Sequence, residues 1–140
     1  MSRPARIIPR TQPLTATLHG NILGHMESDF FENWTTQLRK GLLELAILNA
    51  VGDGSLYGYE IVRRLGDVDG LVITEGTVYP ILSRLKNEAY VETYIQESPE
   101  GPPRKYYRLT GRGREELGRM NQHWERLHGA IGQVRKERVR

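Results

Sequence analysis

One stretch of the chain, residues 74–90, concentrates side chains that bind polar ligands. Its candidate contact residues are hydroxyls, cations and an amide, with no carboxylate among them: Thr77, Tyr79, Ser83, Arg84, Lys86 and Asn87. Phosphates attract cations, and the base edges of a DNA groove present hydrogen-bond donors and acceptors. The set therefore suits contact with duplex DNA, and an ordinary solvated helix face is the alternative.

The apolar residues of this stretch recur at helical spacing: Val78, Ile81, Leu82, Leu85 and Ala89. Such a stripe predicts a helix whose apolar side is buried and whose polar side faces outward. Pro80 leaves two starting points open. With Thr74 as N-cap, the proline lies beyond the first turn, whereas a start near Thr77 would place it in the first turn, where proline is tolerated.

Two further helices are predicted before this one. The first spans Phe30 to Val51, and a Gly/Asp-rich turn ends it. The second has Ser55 as its N-cap and a buried stripe that includes Ile61 and Leu65. A short turn then leads to the polar helix, which is the pattern of a helix-turn-helix.

A β-hairpin is predicted next, with strands at residues 90–96 and 104–109 around a proline-rich turn at 97–103. A hairpin directly after a helix-turn-helix is a wing. Its basic side chains would face a DNA backbone, and the tyrosines at the start of the second helix would reach it. The additional DNA-binding candidates are thus Tyr57, Tyr59, Arg104, Lys105 and Tyr106. A plain surface hairpin, with core tyrosines, is the alternative.

The last helix is predicted to begin after Thr110 as N-cap. Its apolar residues follow alternating spacings of three and four, which is a heptad seam: Leu117, Met120, Trp124, Leu127, Ile131 and Val134. The first helix can pack against only part of this seam, and no later helix follows in the sequence. The seam therefore predicts a second subunit, and a helix packed wholly on its own domain is the alternative.

Composition excludes several classes of protein. The 140 residues suit one domain and include no cysteine, which excludes thiolate zinc sites and fits a reducing cytoplasm. No apolar run is long enough to span a bilayer. His123 and His128 are five residues apart, too far to align two ligands on one helix face. No catalytic acid/base pair or phosphate loop is recognisable, so we predict neither an enzyme nor a cofactor.

The net charge of +3 is unevenly distributed, with +3 in residues 1–25, −7 in 26–103 and +7 in 104–140. Any contact with a polyanion should therefore be confined to the polar face of the third helix and to the positive segment that starts at Arg104. We expect residues 1–29 to be a disordered N-terminal extension, either a basic arm or, as we favour, extra sequence before a start at Met26. Residues 30–110 form the winged helix-turn-helix domain and 111–140 the C-terminal dimerisation helix. The predicted fold class is mainly α with a small β-hairpin.

These segments together resemble the PadR family of bacterial winged-helix transcriptional regulators, over about residues 33–124. The segments that carry the resemblance are WTTQLRKGLLELAIL (34–48), LYGYEI (56–61), EGTVYPILSRL (75–85) and GPPRKYYRLTGRG (101–113). The single C-terminal helix is similar to the short-tailed branch of the family. One residue departs from the family pattern, because Ala89 stands where a glycine usually ends the third helix. A left-handed helix end prefers glycine, so the sequence does not fix the angle between the third helix and the wing.

The resemblance implies a homodimer, in which the last helices pack with the partner's first helices, so that Trp34 and Leu38 join the interface. It implies binding to a roughly palindromic operator, usually as a repressor. Some short-tailed members bind flat aromatic drugs on a tryptophan that aligns with Trp124, although this ring could equally be a packed seam residue. The alternatives are a ligand-sensing dimer and a winged helix used only for protein contacts.

Overall fold

The structure, a computed structural model, describes residues 22–139 and the side chains of residues 29–136. The chain divides into two compact units, residues 1–40 and 41–140. The elements in chain order are α1 (Ile22–Gly52), β1 (Leu56–Tyr57), α2 (Gly58–Gly66), α3 (Glu75–Asn87), β2 (Val91–Ser98), β3 (Gly101–Leu109) and α4 (Gly111–Val139). The mainly helical fold with a small antiparallel sheet confirms the predicted class.

The first unit consists, in its described part, of the N-terminal portion of α1. The helix begins at Ile22 and not at the predicted Phe30, because no proline or turn signal interrupts residues 22–52. Residues 1–21 of the predicted N-terminal extension lie outside the described residues. Phe30, Phe31 and Trp34 are all exposed in this unit.

The second unit encloses one hydrophobic core. Its most buried members come from four different helices and strands: Ile47, Val51, Ile61, Val78, Leu82 and Val91 are almost inaccessible to solvent. The apolar stripe predicted for the third helix is confirmed at Val78, Leu82 and Leu85, which are buried, whereas Ile81 is half-buried. The prediction is wrong at Ala89, which is exposed and lies beyond the end of α3. The burial of the first three residues turns the polar side of α3 outward.

Two local predictions are wrong. Ser55 does not cap α2, because Leu56 and Tyr57 first form strand β1 against Tyr107 and Tyr106, and Tyr57 is the N-cap. The predicted turn at residues 97–103 is also too long, since Gly101 already pairs with Ser98. Strand β1 is only two residues long and pairs with Tyr106 and Tyr107, so the start of β3 pairs with β2 alone. Pro102 and Pro103 lie in this part of β3, and proline is tolerated where one side of a strand is unpaired.

The start of α3 is resolved by its N-cap. Thr74 has extended backbone angles, the helix begins at Glu75, and Pro80 therefore lies inside the helix. The amide hydrogen that proline lacks would have bonded to the carbonyl of Gly76. A side chain at position 76 would meet only the Thr74 hydroxyl, at 3.8 Å, so the backbone there has room to adjust.

The end of α3 and the start of α4 are bonded to each other. Ala89 has a φ of 67°, and the amides of Ala89 and Tyr90 bond to the carbonyls of Lys86 and Leu85, which together form a Schellman cap. The Thr110 hydroxyl donates to the Ala89 carbonyl at 2.6 Å and accepts from the Gly113 amide at 2.9 Å. The prediction that Thr110 caps the last helix is confirmed.

Because Ala89 adopts the left-handed conformation that glycine adopts freely, Ala89→Gly is expected to stabilise the protein by about 1 kcal/mol. Urea unfolding would show a higher midpoint at an unchanged slope. Ala50→Gly is the matched control, because Ala50 lies inside α1, where glycine costs about 0.5–1 kcal/mol. A lower midpoint for Ala89→Gly would contradict this account.

Candidate nucleic-acid interface

The outward side of α3 carries the side chains predicted to meet DNA. Ser83, Lys86 and Asn87 are exposed, whereas Thr77 and Tyr79 are half-buried along the edges of the helix. The Thr77 hydroxyl lies 2.9 Å from the hydroxyl of Thr74, which places two hydroxyls together at the N-terminus of α3. The exposed set combines neutral donors and acceptors with a cation, as groove contacts require.

Tyr79 joins α3 to the start of α2. Its ring lies so close to Gly58 that a Cβ on that glycine would be 2.7 Å from the Tyr79 Cε1 atom. A side chain at position 58 would force the Tyr79 ring to move, so glycine fits this close approach between the two helices of the helix-turn-helix. Burial, and secondarily the Glu75 carboxylate, raise the pKa of Tyr79, so its hydroxyl remains protonated and can donate a hydrogen bond.

The wing is an antiparallel sheet in the order β1–β3–β2. Side chains alternate between its two faces. Tyr107 and Leu109 are buried, so Lys105 lies on the same, inward face of β3. Arg104, Tyr106 and Arg108 lie on the opposite face. The basic residues of the wing therefore divide between the two faces.

The outward face of the sheet carries a row of three tyrosine rings, one from each strand. The Tyr106 ring lies 5.7 Å from that of Tyr57 and 5.5 Å from that of Tyr94. The guanidinium of Arg104 lies 4.4 Å from the centre of the Tyr57 ring, and that of Arg108 lies 4.8 Å from the Tyr94 ring. The first of these cation–π contacts holds Arg104 beside the start of α2.

The structure brings five of the predicted contact residues to one cleft, which we call the tyrosine cleft. It has a volume of about 370 Å³ and is lined by Tyr57, Gly58, Tyr59, Tyr79, Arg104, Lys105 and Tyr107. The start of α2, the outward side of α3 and the wing all meet there. Two cations and several phenolic hydroxyls line it, with no carboxylate among the lining residues.

Arg84 does not join this group. Its guanidinium forms an ion pair with the carboxylate of Glu44 in α1 and lies 4.0 Å from that of Glu88. Two carboxylates thus oppose its positive charge, and its side chain is directed towards α1. Sequence patterns reveal the polar side of a helix but not a carboxylate from an element distant in the sequence.

The seam of α4 is divided along its length. Leu117 is buried in the core of the second unit, and Met120 and Trp124 are half-buried. Ile131 and Val134 are 57% and 62% exposed, and Leu127 is 49% exposed. In the first unit, Trp34 is 53% exposed and Leu38 is 44% exposed. The N-terminal half of the seam therefore belongs to the core of its own chain, whereas the C-terminal half is an uncovered apolar surface.

Beside Trp124 lies a second cleft, of about 530 Å³, between α4 and the C-terminal part of α1. Apolar and basic side chains line it, including Leu42, Leu45, Met120 and Arg119. The Trp124 ring lies 5.5 Å from that of His128. Asn49 and Asn121 bridge α1 and α4 with reciprocal hydrogen bonds of 3.0 Å.

Several residues that shape the interface were not predicted. Gly58 and Tyr107 line the tyrosine cleft, Tyr94 completes the ring row, and Glu44 pairs with Arg84. The strand alternation of residues 104–109 was the signal that would have placed Tyr107 inward. Nothing in the sequence pattern indicated Gly58, whose role depends on the position of a ring in another helix.

A helix-turn-helix followed directly by a β-hairpin makes this chain a winged-helix protein. The Transcriptional regulator PadR-like family matches residues 47–119. The chain therefore belongs to the PadR-like family of transcriptional regulators, as its sequence resemblance predicted. Members of this family regulate transcription and are not enzymes, so the prediction of a protein without catalytic activity is confirmed.

Solved structures show the same fold. A PadR-like transcription factor from Bacteroides fragilis is 38% identical over 73% of this chain and 98% of its own, with a TM-score of 0.61. A PadR-like regulator from Bacillus cereus is 34% identical over 70% of this chain and 95% of its own, with a TM-score of 0.65. PadR of Bacillus subtilis, solved with operator DNA, is 27% identical over 56% of this chain and 45% of its own, with a TM-score of 0.52.

Among the described residues, no helix combines the length and the hydropathy needed to cross a membrane.

Proposed function

We propose that this regulator is a homodimeric repressor that binds a roughly palindromic operator through α3 and the wing. The observation that carries the proposal is the convergence of α2, α3 and the wing on one cationic, hydroxyl-rich surface without lining carboxylates. The operator complex of the Bacillus subtilis relative supports DNA as the partner. Chromosomal DNA as ligand implies that the protein acts in the cytoplasm.

The side chains divide into two roles. Thr77, Ser83 and Asn87 carry the neutral donors and acceptors that distinguish bases in a major groove. Lys86, together with Arg104 and Lys105 of the wing, supplies charge for phosphates, which gives affinity without sequence preference. Tyr57, Tyr59, Tyr79 and Tyr106 support or extend the backbone contacts. Arg84 contributes less than its exposed neighbours because Glu44 already pairs with it.

Replacing both Arg104 and Lys105 by glutamine is expected to weaken binding to every duplex and to flatten its salt dependence. The slope of log K against log salt should fall by about 0.9 for each lost phosphate contact. Titrations of a labelled duplex at several salt concentrations measure the slope.

Arg84→Gln is the matched control for this double variant. Its slope should stay close to that of the wild type, because two carboxylates already oppose the Arg84 charge. Equal slopes for the wild type and the double variant would contradict a phosphate-binding wing.

The dimer is supported by the apolar surface that α4 leaves uncovered in one chain. Leu127, Ile131 and Val134 continue the seam of buried residues beyond the part that α1 covers. Monomeric proteins rarely leave such a contiguous stripe in water, and a second copy presents the same stripe to it by two-fold symmetry. A dimer then places two α3 helices to meet two half-sites about one helical turn apart.

Retention on duplex DNA separates this proposal from a winged helix used only for protein contacts. The purified protein should bind immobilised duplex DNA or heparin at low salt and elute as salt is added, because phosphate contacts release counterions. Passage through both matrices at low salt would reject the DNA-binding function.

A second candidate function is effector binding at the cleft beside Trp124. The volume of about 530 Å³ and the apolar lining suit a small planar compound, and the indole ring offers a face for stacking. In a Trp34→Phe variant, where Trp124 is the remaining tryptophan, planar aromatic compounds are expected to quench the fluorescence in a saturable way. If no member of a broad aromatic panel changes the emission, this candidate should be abandoned.

A further inference from the structure

The outermost line of α3 contains two residues outside the predicted contact set. Val78, Leu82 and Leu85 are buried and fix the side of the helix that faces the core. At about 3.6 residues per turn, the line opposite them runs through residues spaced by four, three and four. All of these residues are exposed, and we call them the outer stripe: Gly76, Pro80, Ser83 and Asn87. Gly76 and Pro80 therefore form the outermost surface of the N-terminal half of α3.

Pro80 is the unusual member of the outer stripe. It lies inside α3 and beyond the first turn, where proline is by far the least favourable residue because it cannot donate to the carbonyl of Gly76. Its ring is exposed, so the apolar surface of the ring contributes little to the core. The chain thus places an apolar group, at a cost to the helix, on the surface that is proposed to meet DNA.

The chemistry of the proline ring restricts what it can contact in a groove. The ring consists of CH₂ groups and has no side-chain donor or acceptor, so it cannot pair with the polar edge of a base. The major groove of DNA presents one apolar group, the 5-methyl group of thymine. Packing that methyl group against the ring removes apolar surface from water, whereas the amino group of a cytosine there would lose hydrogen bonds. A ring at the base edges therefore favours thymine.

Gly76 leaves room for the close approach that this contact needs. It lies one turn before Pro80 and has no side chain, and a Cβ there would meet only the Thr74 hydroxyl, at 3.8 Å. The start of α3 can therefore lie near the base edges with the Pro80 ring between. Asn87 lies seven residues after Pro80, about 10 Å along the helix axis, so its amide meets a different base pair from the one that the ring meets.

We propose that Pro80 contacts the 5-methyl group of one thymine in each operator half-site and makes that T·A pair part of the sequence that the regulator selects. The proposal rests on the DNA binding through α3 proposed above, and it names a base and the group on that base that the outer stripe reads. Pro80 is a specificity-determining residue, because the contact distinguishes thymine from cytosine and supplies no charge to phosphates.

The test is a scan of a duplex selected from a random pool, in which one thymidine at a time is replaced by deoxyuridine. The exchange removes the 5-methyl group and keeps the base pairing and the hydrogen-bonding edge. In the wild type, one replacement in each half-site should weaken binding about fourfold, the value of one methyl group withdrawn from water. The two sensitive replacements together should weaken it by about 15-fold, since separated positions are roughly additive.

Pro80→Ala supplies the second arm of the test. It removes the outer carbons of the ring and restores an amide hydrogen to the helix, so the variant should fold at least as stably as the wild type. At the sensitive thymidine, deoxyuridine should cause no further loss in this variant, because the two changes remove the same contact. Pro99→Ala is the matched control, since Pro99 is an exposed proline in the turn of the wing, and it should keep the full penalty.

Several results would overturn the thymine contact and leave DNA binding intact. They are a wild type that tolerates deoxyuridine at every position, and a penalty that Pro80→Ala leaves unchanged. A penalty that persists in Pro80→Ala and disappears in Thr77→Ser would assign the contact to the Thr77 methyl group instead. New sensitivity of Pro80→Ala at several other thymidines would show that the proline acts through the shape of α3. Failure of every unmodified duplex to bind would reject the proposed function, and the thymine contact with it.

Discussion

Ile131→Asp is expected to leave each chain folded, to abolish the dimer and to weaken operator binding by about 10²–10⁴-fold. The side chain is 57% exposed in one chain and lies in the uncovered half of the α4 seam. Two aspartates facing each other across a two-fold interface would repel and lose apolar contact. Because a dimer binds its second half-site intramolecularly, loss of dimerisation removes an effective-concentration gain of that size.

Sedimentation velocity and duplex titration measure the two effects of this substitution together. Gln133→Asp is the matched control, because residue 133 is exposed on the same helix and lies outside the seam. The control should remain dimeric and bind DNA with little change. An Ile131→Asp protein that still sediments as a dimer would show that the α4 seam is not the interface.

Gly113→Ala should destabilise the protein by about 2–4 kcal/mol, the range of severe single substitutions. A Cβ at this position would be 2.0 Å from the Tyr90 carbonyl oxygen and 2.9 Å from its carbonyl carbon. Both are backbone atoms, so no side-chain rotation relieves the clash. The start of α4 would have to separate from the end of α3, where Thr110 bonds to the Ala89 carbonyl.

Gly111→Ala provides the control for this prediction, since a Cβ at residue 111 meets nothing within 4 Å. Alanine is the better helix former by up to about 1 kcal/mol, so this variant should be neutral or slightly more stable. Thermal and urea unfolding of the two variants would separate the clash from a general intolerance of alanine at the start of α4. Equal stabilities would contradict the close approach to Tyr90.

Features set by local sequence could be predicted well. The stripe that contains Val78, Leu82 and Leu85 located the third helix, because burial follows helical periodicity closely. Thr110 was identified as a cap because its hydroxyl bonds to an amide only three residues away. The departure at Ala89 was recognised correctly as unusual, and the left-handed turn persists there because Thr110 and the Schellman bonds hold it.

Features that depend on contacts between distant elements could not be predicted. Ser55 is followed by a two-residue strand that exists only because β3 pairs with it. Arg84 looked like its neighbours in sequence, and only the fold brings Glu44 of α1 beside it. Gly58 lies against the Tyr79 ring only because the fold brings α3 beside the start of α2.

Selection of bound duplexes from a random DNA pool tests the central claim most directly. If two copies of this winged helix read DNA through α3, the enriched sequences will contain two inverted half-sites about one helical turn, roughly 10 base pairs, apart. The Ile131→Asp variant should lose that enrichment. Recovery of no common sequence, or of single half-sites without a partner, would contradict a symmetric DNA-binding dimer.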